Sequence, residues 1–328
     1  MRPFDYHRAA DPRAAVAAVA RRPEARFLAG GTNLIDLMRL GVEAPELLVD
    51  VSRLGGGRIA ETEAGGLLIG ASVRNSELAA DHRVRDDYPV LAQALLNGAS
   101  GQLRNLATVA GNLLQRTRCL YFQDVTKPCN KRSPGSGCPA IEGEHANLAI
   151  FGHSEHCVAT HPSDMAVAMV ALDATVHLEG PSGPRTTPLI GFHRLPGDAP
   201  DRDTVLHHGE LITAVELPPL AAARRSLYRK ARERRSFAFA LVSVAAALEL
   251  DRGEVRDARV ALGGVAHVPW RATRAEEMLR GGPLTEERAH AAAEAELAHA
   301  TPLRDNAYKV PLAHRLIVRT LLDVAERP

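Results

Sequence analysis

Apolar residues near the start of the chain switch between helical and extended spacing. Pro12 to Arg21 places alanine and valine at helical intervals behind Asp11-Pro12-Arg13, a cap and first turn. Ala25-Arg26-Phe27-Leu28-Ala29 reads as a short strand running into Gly30-Gly31-Thr32-Asn33. Leu34 to Leu40 returns to helical spacing and stops at Gly41, and Leu47 to Val51 makes the next strand. The pattern predicts a small βαβ-like unit with a glycine turn at a strand end.

Gly55-Gly56-Gly57-Arg58-Ile59-Ala60 then matches G-x-G-x-x-A, the dinucleotide fingerprint. Gly65-Gly66 follows too soon for a helix of useful length, so a hairpin with Leu67-Leu68-Ile69-Gly70 as its second strand is expected instead. Ser76 to Leu96 has helical spacing interrupted at Pro89, which predicts two helices. Further on, Met165 to Leu172 reads as a helix, Thr175 to Glu179 as a strand followed by a proline-rich turn, and Glu210 to Leu217 as a strand ended by Pro218-Pro219. In the last third, Ser226 to Lys230 leads into Phe239 to Leu250, Asp251-Arg252-Gly253 makes a hairpin turn, and Ala258 to Val268 returns. Helices over Arg271–Leu279, Thr285–His299 and Asn306–Ala325 complete an antiparallel sheet covered by helices.

At 328 residues the chain fits two or three domains. Its 40 basic and 39 acidic side chains argue against nucleic-acid binding, which wants a basic excess. The run Arg224 to Arg235 is a local exception that reads as a solvated or subunit-facing edge. No run approaches the ~18 apolar residues that span a bilayer, and the first residues lack the apolar core of an export signal. The sequence by itself points to the cytoplasm, with the periplasm open to a passenger on a signal-bearing partner.

The chemistry is concentrated between Ala107 and Asp164. Gly30-Gly31-Thr32-Asn33 turns backbone amides outward ahead of a helix, a phosphate cradle in principle, although such turns are more often structural. The small-residue run Gly98 to Asn112 suits a backbone that comes close to a flat or charged ligand, with Asn112 as a hydrogen-bond donor. All 4 cysteines follow as Cys119-x9-Cys129-x8-Cys138-x18-Cys157. The absence of C-x2-C excludes an ordinary zinc ribbon and a two-cluster ferredoxin pattern. A metal or cluster held by the four thiols remains open, as does a mixed zinc site using His145, His153, His156 or His161. Lys127, Lys131 and Arg132 are available to offset thiolate charge. Asp164, just before an apolar helix, also reads as an ordinary N-terminal cap.

These residues resemble the flavin-binding subunit of bacterial molybdenum hydroxylases, relatives of xanthine dehydrogenase and aldehyde oxidoreductase. Leu28-Ala29-Gly30-Gly31-Thr32-Asn33-Leu34 looks like the first FAD loop, Ala107 to Asn112 like the second, and Ser163-Asp164-Met165-Ala166 like the family's S-D segment. Tyr228-Arg229-Lys230 and Leu211-Ile212 line up with segments flanking the flavin ring. The resemblance implies an α+β chain: a two-part FAD-binding domain of the PCMH/VAO-like type (1–60 and 61–222), then an antiparallel sheet with helices (223–328). It implies FAD held by Leu28, Ala29, Gly30, Gly31, Thr32, Asn33, Leu34, Thr108, Gly111 and Asn112. Asp164 would then lie on the ribityl or ribose side, and Ile212 and Lys230 at the ring. Gly98-Ala99 stands where some relatives carry an aromatic residue, with Ala99 beside the flavin. The insertion at 118–158 is similar to one in a periplasmic aldehyde oxidoreductase subgroup that carries a [4Fe-4S] cluster, which implies Cys119, Cys129, Cys138 and Cys157 as ligands. The implied partners are a molybdenum-cofactor large subunit and a [2Fe-2S] small subunit, and the implied role is electron transfer. A self-contained flavin oxidase and a zinc-stabilised binding module are the competing readings.

Overall fold

A computed structural model describes residues 1–54 and 56–327. The first unit contains β1 (Asp5–Arg8), α1 (Pro12–Ala20), β2 (Ala25–Leu28), α2 (Leu34–Arg39) and β3 (Leu47–Asp50). Its strands form a parallel sheet in the order β1-β3-β2. Asp11 caps α1 by accepting from the Ala14 N–H, and Ala15, Val16 and Val19 bury one face of that helix against Leu47 and Val49. β1 is exposed along its whole length, so it carries no apolar alternation and the sequence gives no sign of it.

The second sheet begins with the expected hairpin, β4 (Ile59–Glu61) and β5 (Leu67–Gly70), paired antiparallel. Gly55, which opens the fingerprint match, lies outside the described residues. Three helices replace the two expected: α3 (Asn75–Ala80), α4 (His82–Asp87) and α5 (Pro89–Asn97). Asp81 ends the first in an extended conformation and caps the second by accepting from the Arg83 and Val84 N–H groups. Pro89 starts the third, as its fixed φ favours. Then come α6 (Gly101–Arg104), α7 (Val109–Leu113), α8 (Leu120–Gln123) and α9 (Asp164–Ala171). α9 is buried throughout and lies in the largest core.

β6 (Thr175–Gly180), β7 (Gly183–Pro188) and β8 (Leu211–Leu217) complete an antiparallel sheet ordered β4-β5-β8-β6-β7. The proline-rich turn expected after β6 is instead strand β7. Pro184 and Pro188 are tolerated because this strand sits at the sheet edge, where a missing N–H removes no interior ladder bond.

The third sheet holds β9 (Ser226–Ala231), β10 (Val242–Asp251), β11 (Glu254–Gly263) and β12 (Trp270–Arg271), antiparallel in the order β12-β11-β10-β9. Arg252 and Gly253 adopt φ values of 52° and 88°, the left-handed pair that a tight hairpin needs. α10 (Thr273–Leu279), α11 (Glu286–Leu297) and α12 (Lys309–Ala325) pack on this sheet through alanine, leucine and valine. The α+β class expected from the sequence is the one observed. Among the described residues no helix is long and apolar enough to cross a membrane.

Residues 114–163 are largely irregular and are fastened from outside. Lys309, fully buried at the start of α12, donates to the carbonyls of Asn147, Leu148 and Gly264. Ile150 and Phe151 donate to the Val265 carbonyl. A long polar loop is thereby given a fixed seat against the third sheet.

Candidate functional site

The two glycine-rich loops are in direct contact. A Cβ built on Gly30 would lie 2.1 Å from the Leu106 carbonyl oxygen, so only glycine permits this approach. Gly31 turns with φ 72°. All of Leu28, Ala29, Gly30, Gly31, Thr32, Asn33 and Leu34 remain partly exposed, as a loop open to a ligand requires. Asn33 accepts from the Arg116 N–H at 2.9 Å through Oδ1, while its buried Nδ2 has no hydrogen-bond partner. An orphaned buried amide is costly, and a ligand oxygen at this position would satisfy it.

On the second loop Thr108 caps α7, its Oγ1 accepting from the Gly111 N–H at 3.2 Å. Asn112 Oδ1 accepts from Ser163 Oγ at 2.6 Å and from Gln115 Nε2 at 2.7 Å, which ties the second loop to the start of α9. The cap of α9 is Ser163, accepting from the Ala166 N–H, rather than Asp164 as the ordinary reading had it. Asp164 is therefore free for other contacts. One carboxylate oxygen accepts from the Tyr228 hydroxyl and the other from Lys230 Nζ at 2.7 Å. Burial, and then the Asp164 charge, push the Tyr228 phenol well above its usual range, so it stays a donor.

Lys230 also donates to the Asn97 carbonyl at 3.2 Å, and Ala99 follows closely with φ 51°. Gly98 approaches Asp164 so nearly that an added Cβ would sit 3.4 Å from Oδ2. Loop 97–99, Asp164 and Lys230 thus form one cluster next to an open cleft lined by Arg232, Arg234 and Arg235. The arginine run is only partly solvated: Arg232 donates to the Asn97 carbonyl and Arg229 pairs with Asp323. Ile212 lies on β8 opposite Leu178 and is buried in the main core rather than on a loop.

The four cysteines are all free thiols and line one pocket, together with Asn130, Lys131 and His156. Burial raises the Cys119 and Cys138 thiols and pushes Cys157 up to about 12, so without a ligand these thiols stay protonated. Among the described residues no three or more His, Cys, Asp or Glu side chains are grouped as a single metal ion would need. The mixed histidine site does not form. His145 is engaged by the Ala140 carbonyl and the Asp305 N–H, His153 by Thr301, and His161 lies against His193 in a tilted arrangement with ring centroids 4.3 Å apart. Only His156 lines the cavity.

Between this cavity and the first glycine loop runs a charged network with no local sequence signal. Lys131 donates to the Pro200 carbonyl, to Asp203 and to His267 Nε2. Arg116 donates to Asp203 at 2.9 Å and to Glu43 at 2.6 Å, with its guanidinium over the Phe122 ring. Burial alone would raise the Asp203 carboxyl, but the charges and hydrogen bonds around it, with Lys131 and Arg116 as the cations, outweigh it and hold it well below the usual range. Since the Arg116 N–H binds Asn33, the network joins the wall of the thiol cavity to the first loop.

Comparison with known proteins agrees with this geometry. Residues 2–220 match the model described as the FAD binding domain in molybdopterin dehydrogenase, and residues 226–324 match the CO dehydrogenase flavoprotein C-terminal domain. The chain is 52% identical over 98% of its length to the aldehyde oxidoreductase FAD-binding subunit PaoB of Escherichia coli (strain K12), covering 98% of that protein. It is 28% identical to the glyceraldehyde dehydrogenase medium chain of Sulfolobus acidocaldarius, over 87% of this chain and 83% of that one. The solved carbon monoxide dehydrogenase of Hydrogenophaga pseudoflava superposes with a TM-score of 0.76 at 28% identity, covering 98% of this chain and 96% of that one. Two contiguous family domains, spanning nearly the whole chain and meeting at the Asp164–Lys230 cluster, establish that it belongs to the FAD-binding medium-subunit family of the molybdenum hydroxylases, as the flavoprotein component of an oxidoreductase.

Proposed function

We propose that this chain is the FAD- and [4Fe-4S]-carrying electron-transfer subunit of a molybdenum-dependent aldehyde oxidoreductase. The observation that carries the reading is the convergence of four free thiols from one long irregular loop on a single pocket in a chain of the FAD-binding family. The name of the Escherichia coli relative favours an aldehyde as the substrate of the whole complex. Substrate oxidation is assigned to a partner holding the molybdenum cofactor, with a small [2Fe-2S] partner between, in a heterotrimer.

Leu28 to Leu34, Thr108, Gly111 and Asn112 would hold FAD through backbone amides and the Asn33 side chain. Ala99, Asp164, Ile212 and Lys230 would stand near its ring and ribityl chain. Cys119, Cys129, Cys138 and Cys157 would hold the cluster. When bound, these groups supply one- and two-electron redox chemistry that no side chain offers. The protein's own residues position them and exclude water. Asp164 accepts from both Tyr228 and Lys230, so neither it nor the phenol is left as a free acid or base, which disfavours a self-contained oxidase.

A zinc-stabilised module is disfavoured by the geometry of the thiols. Tetrahedral zinc with bonds of about 2.3 Å draws four sulfurs onto one point, and among the described residues no three or more such ligands are grouped that closely. A cluster is the larger body, and its sulfur ligands stand farther apart. Cys129→Ser tests the assignment: iron is lost while FAD is retained. Loss of FAD with unchanged iron would mean that the loop props the flavin instead.

A further inference from the structure

The thiol cavity has a charged wall on one side. Lys131 follows Cys129 by two residues, lines the cavity and is 2% exposed. A bare ammonium so deeply placed is strongly disfavoured. Here its three N–H donors are matched by three acceptors, the Pro200 carbonyl, Asp203 and His267 Nε2.

The acceptors are themselves fixed. His267 Nδ1 lies 3.2 Å from the Ala159 carbonyl, which calls for the proton on Nδ1 and leaves the Nε2 lone pair facing the lysine. Asp203 also pairs with Arg116, which Glu43 pairs in turn, so the four charges balance as a set. Of these four groups it is Lys131 that lines the cavity, which places the positive member on the side of the thiols and holds it without freedom to turn away. Lys131 shares the lining of the cavity with all four cysteines, so its field acts on whatever they hold.

Four thiolates around an iron-sulfur core make a net anion in a water-poor pocket, and reduction adds one more negative charge. A fixed cation alongside stabilises the reduced form more than the oxidised one, an effect that low dielectric magnifies. We propose that Lys131, clamped by Asp203 and His267, is the counter-charge that sets the reduction potential of the group held by Cys119, Cys129, Cys138 and Cys157. The proposal rests on the cluster reading above. It assigns Asp203 and His267 as positioning residues that act through the lysine.

The test is a redox titration of the full chain, followed by the electron-paramagnetic signal of the reduced iron-sulfur group, alongside iron, sulfide and FAD content. Lys131→Gln keeps a hydrogen-bond donor and removes the charge, whereas Lys131→Arg keeps the charge. With iron content near wild type, Lys131→Gln is expected to disfavour reduction by at least about tenfold, or about 59 mV for one electron. Lys131→Arg should stay within a few-fold of wild type. Equal potentials for the two variants and the wild type overturn the proposal, because a merely structural lysine predicts that result. If Lys131→Gln fails to hold iron, Asp203→Asn decides: with the opposing charge gone the potential must rise, and an unchanged or lower value overturns the proposal. A wild-type chain without iron refutes the cluster reading itself, a separate outcome, and the proposal falls with it.

Discussion

Lys230 Nζ lies 2.7 Å from Asp164 Oδ2, with the lysine side chain 1% exposed and the aspartate 9%. This pair joins the first turn of α9 to β9, where Lys230 stands opposite Ser243 of β10, and so joins the two family domains. Tyr228, two residues earlier on the same strand and on the same face, occupies the other carboxylate oxygen. The three side chains form a closed set, which makes Asp164 an organising residue for the site before any ligand arrives.

Breaking this set from one side leaves a buried charge unpaired. Lys230→Met is expected to destabilise the chain by about 3–5 kcal/mol, the usual cost of removing one partner of a buried pair. Adding Asp164→Asn should restore a substantial part of that loss. Thermal unfolding of both single variants and the double variant measures the coupling. Additive losses would mean that the two residues act independently.

Gly30→Ala should separate flavin binding from folding. The added Cβ would meet the Leu106 carbonyl at 2.1 Å, so the first loop must move away from the second. FAD retained after gel filtration should fall by about tenfold or more, for a lost binding increment of about 1.4 kcal/mol or greater, while far-ultraviolet dichroism stays close to wild type. Full FAD occupancy in this variant would contradict the contact between the loops.

The buried histidine pair predicts the shape of the acid limb. Burial lowers His193 to about 4 and, followed by the neighbouring His193, lowers His161 well below its usual value. Both are neutral in the folded chain, whereas the unfolded chain binds their protons below about 6.5. Stability from this source is complete above about 6.5 and is lost as pH falls toward 4. His193 alone accounts for about 3 kcal/mol over that window. Denaturant unfolding at pH 7, 6, 5 and 4 should show a progressive loss that His193→Gln makes shallower; equal slopes in the two proteins would refute it.

What the sequence carries and what it hides follow from how local each signal is. Gly30 and Gly31 were legible because a tight turn at a strand end demands glycine within a few residues. The four cysteines were legible as a group because all fall in one loop, yet their spacing says nothing of the cavity that they share. β1 was hidden because Asp5-Tyr6-His7-Arg8 is exposed on both sides, and β7 because its prolines imitate a turn. Asp203 and His267 were hidden for a different reason. They lie 72 and 136 residues from Lys131, so only the folded chain brings their chemistry together. Asp164 reads as a cap from its place before an apolar helix and as a flavin residue only through the family resemblance, and the structure gives the cap to Ser163.

The central claim is that one chain carries both a flavin and an iron-sulfur cluster. Its most direct test is an iron, acid-labile sulfide, zinc and FAD count on the full chain purified anaerobically from iron-replete cells, with an absorption spectrum. The account predicts about four iron and about four sulfide per chain beside about one FAD. Zinc in place of iron, or FAD with neither metal, would contradict it.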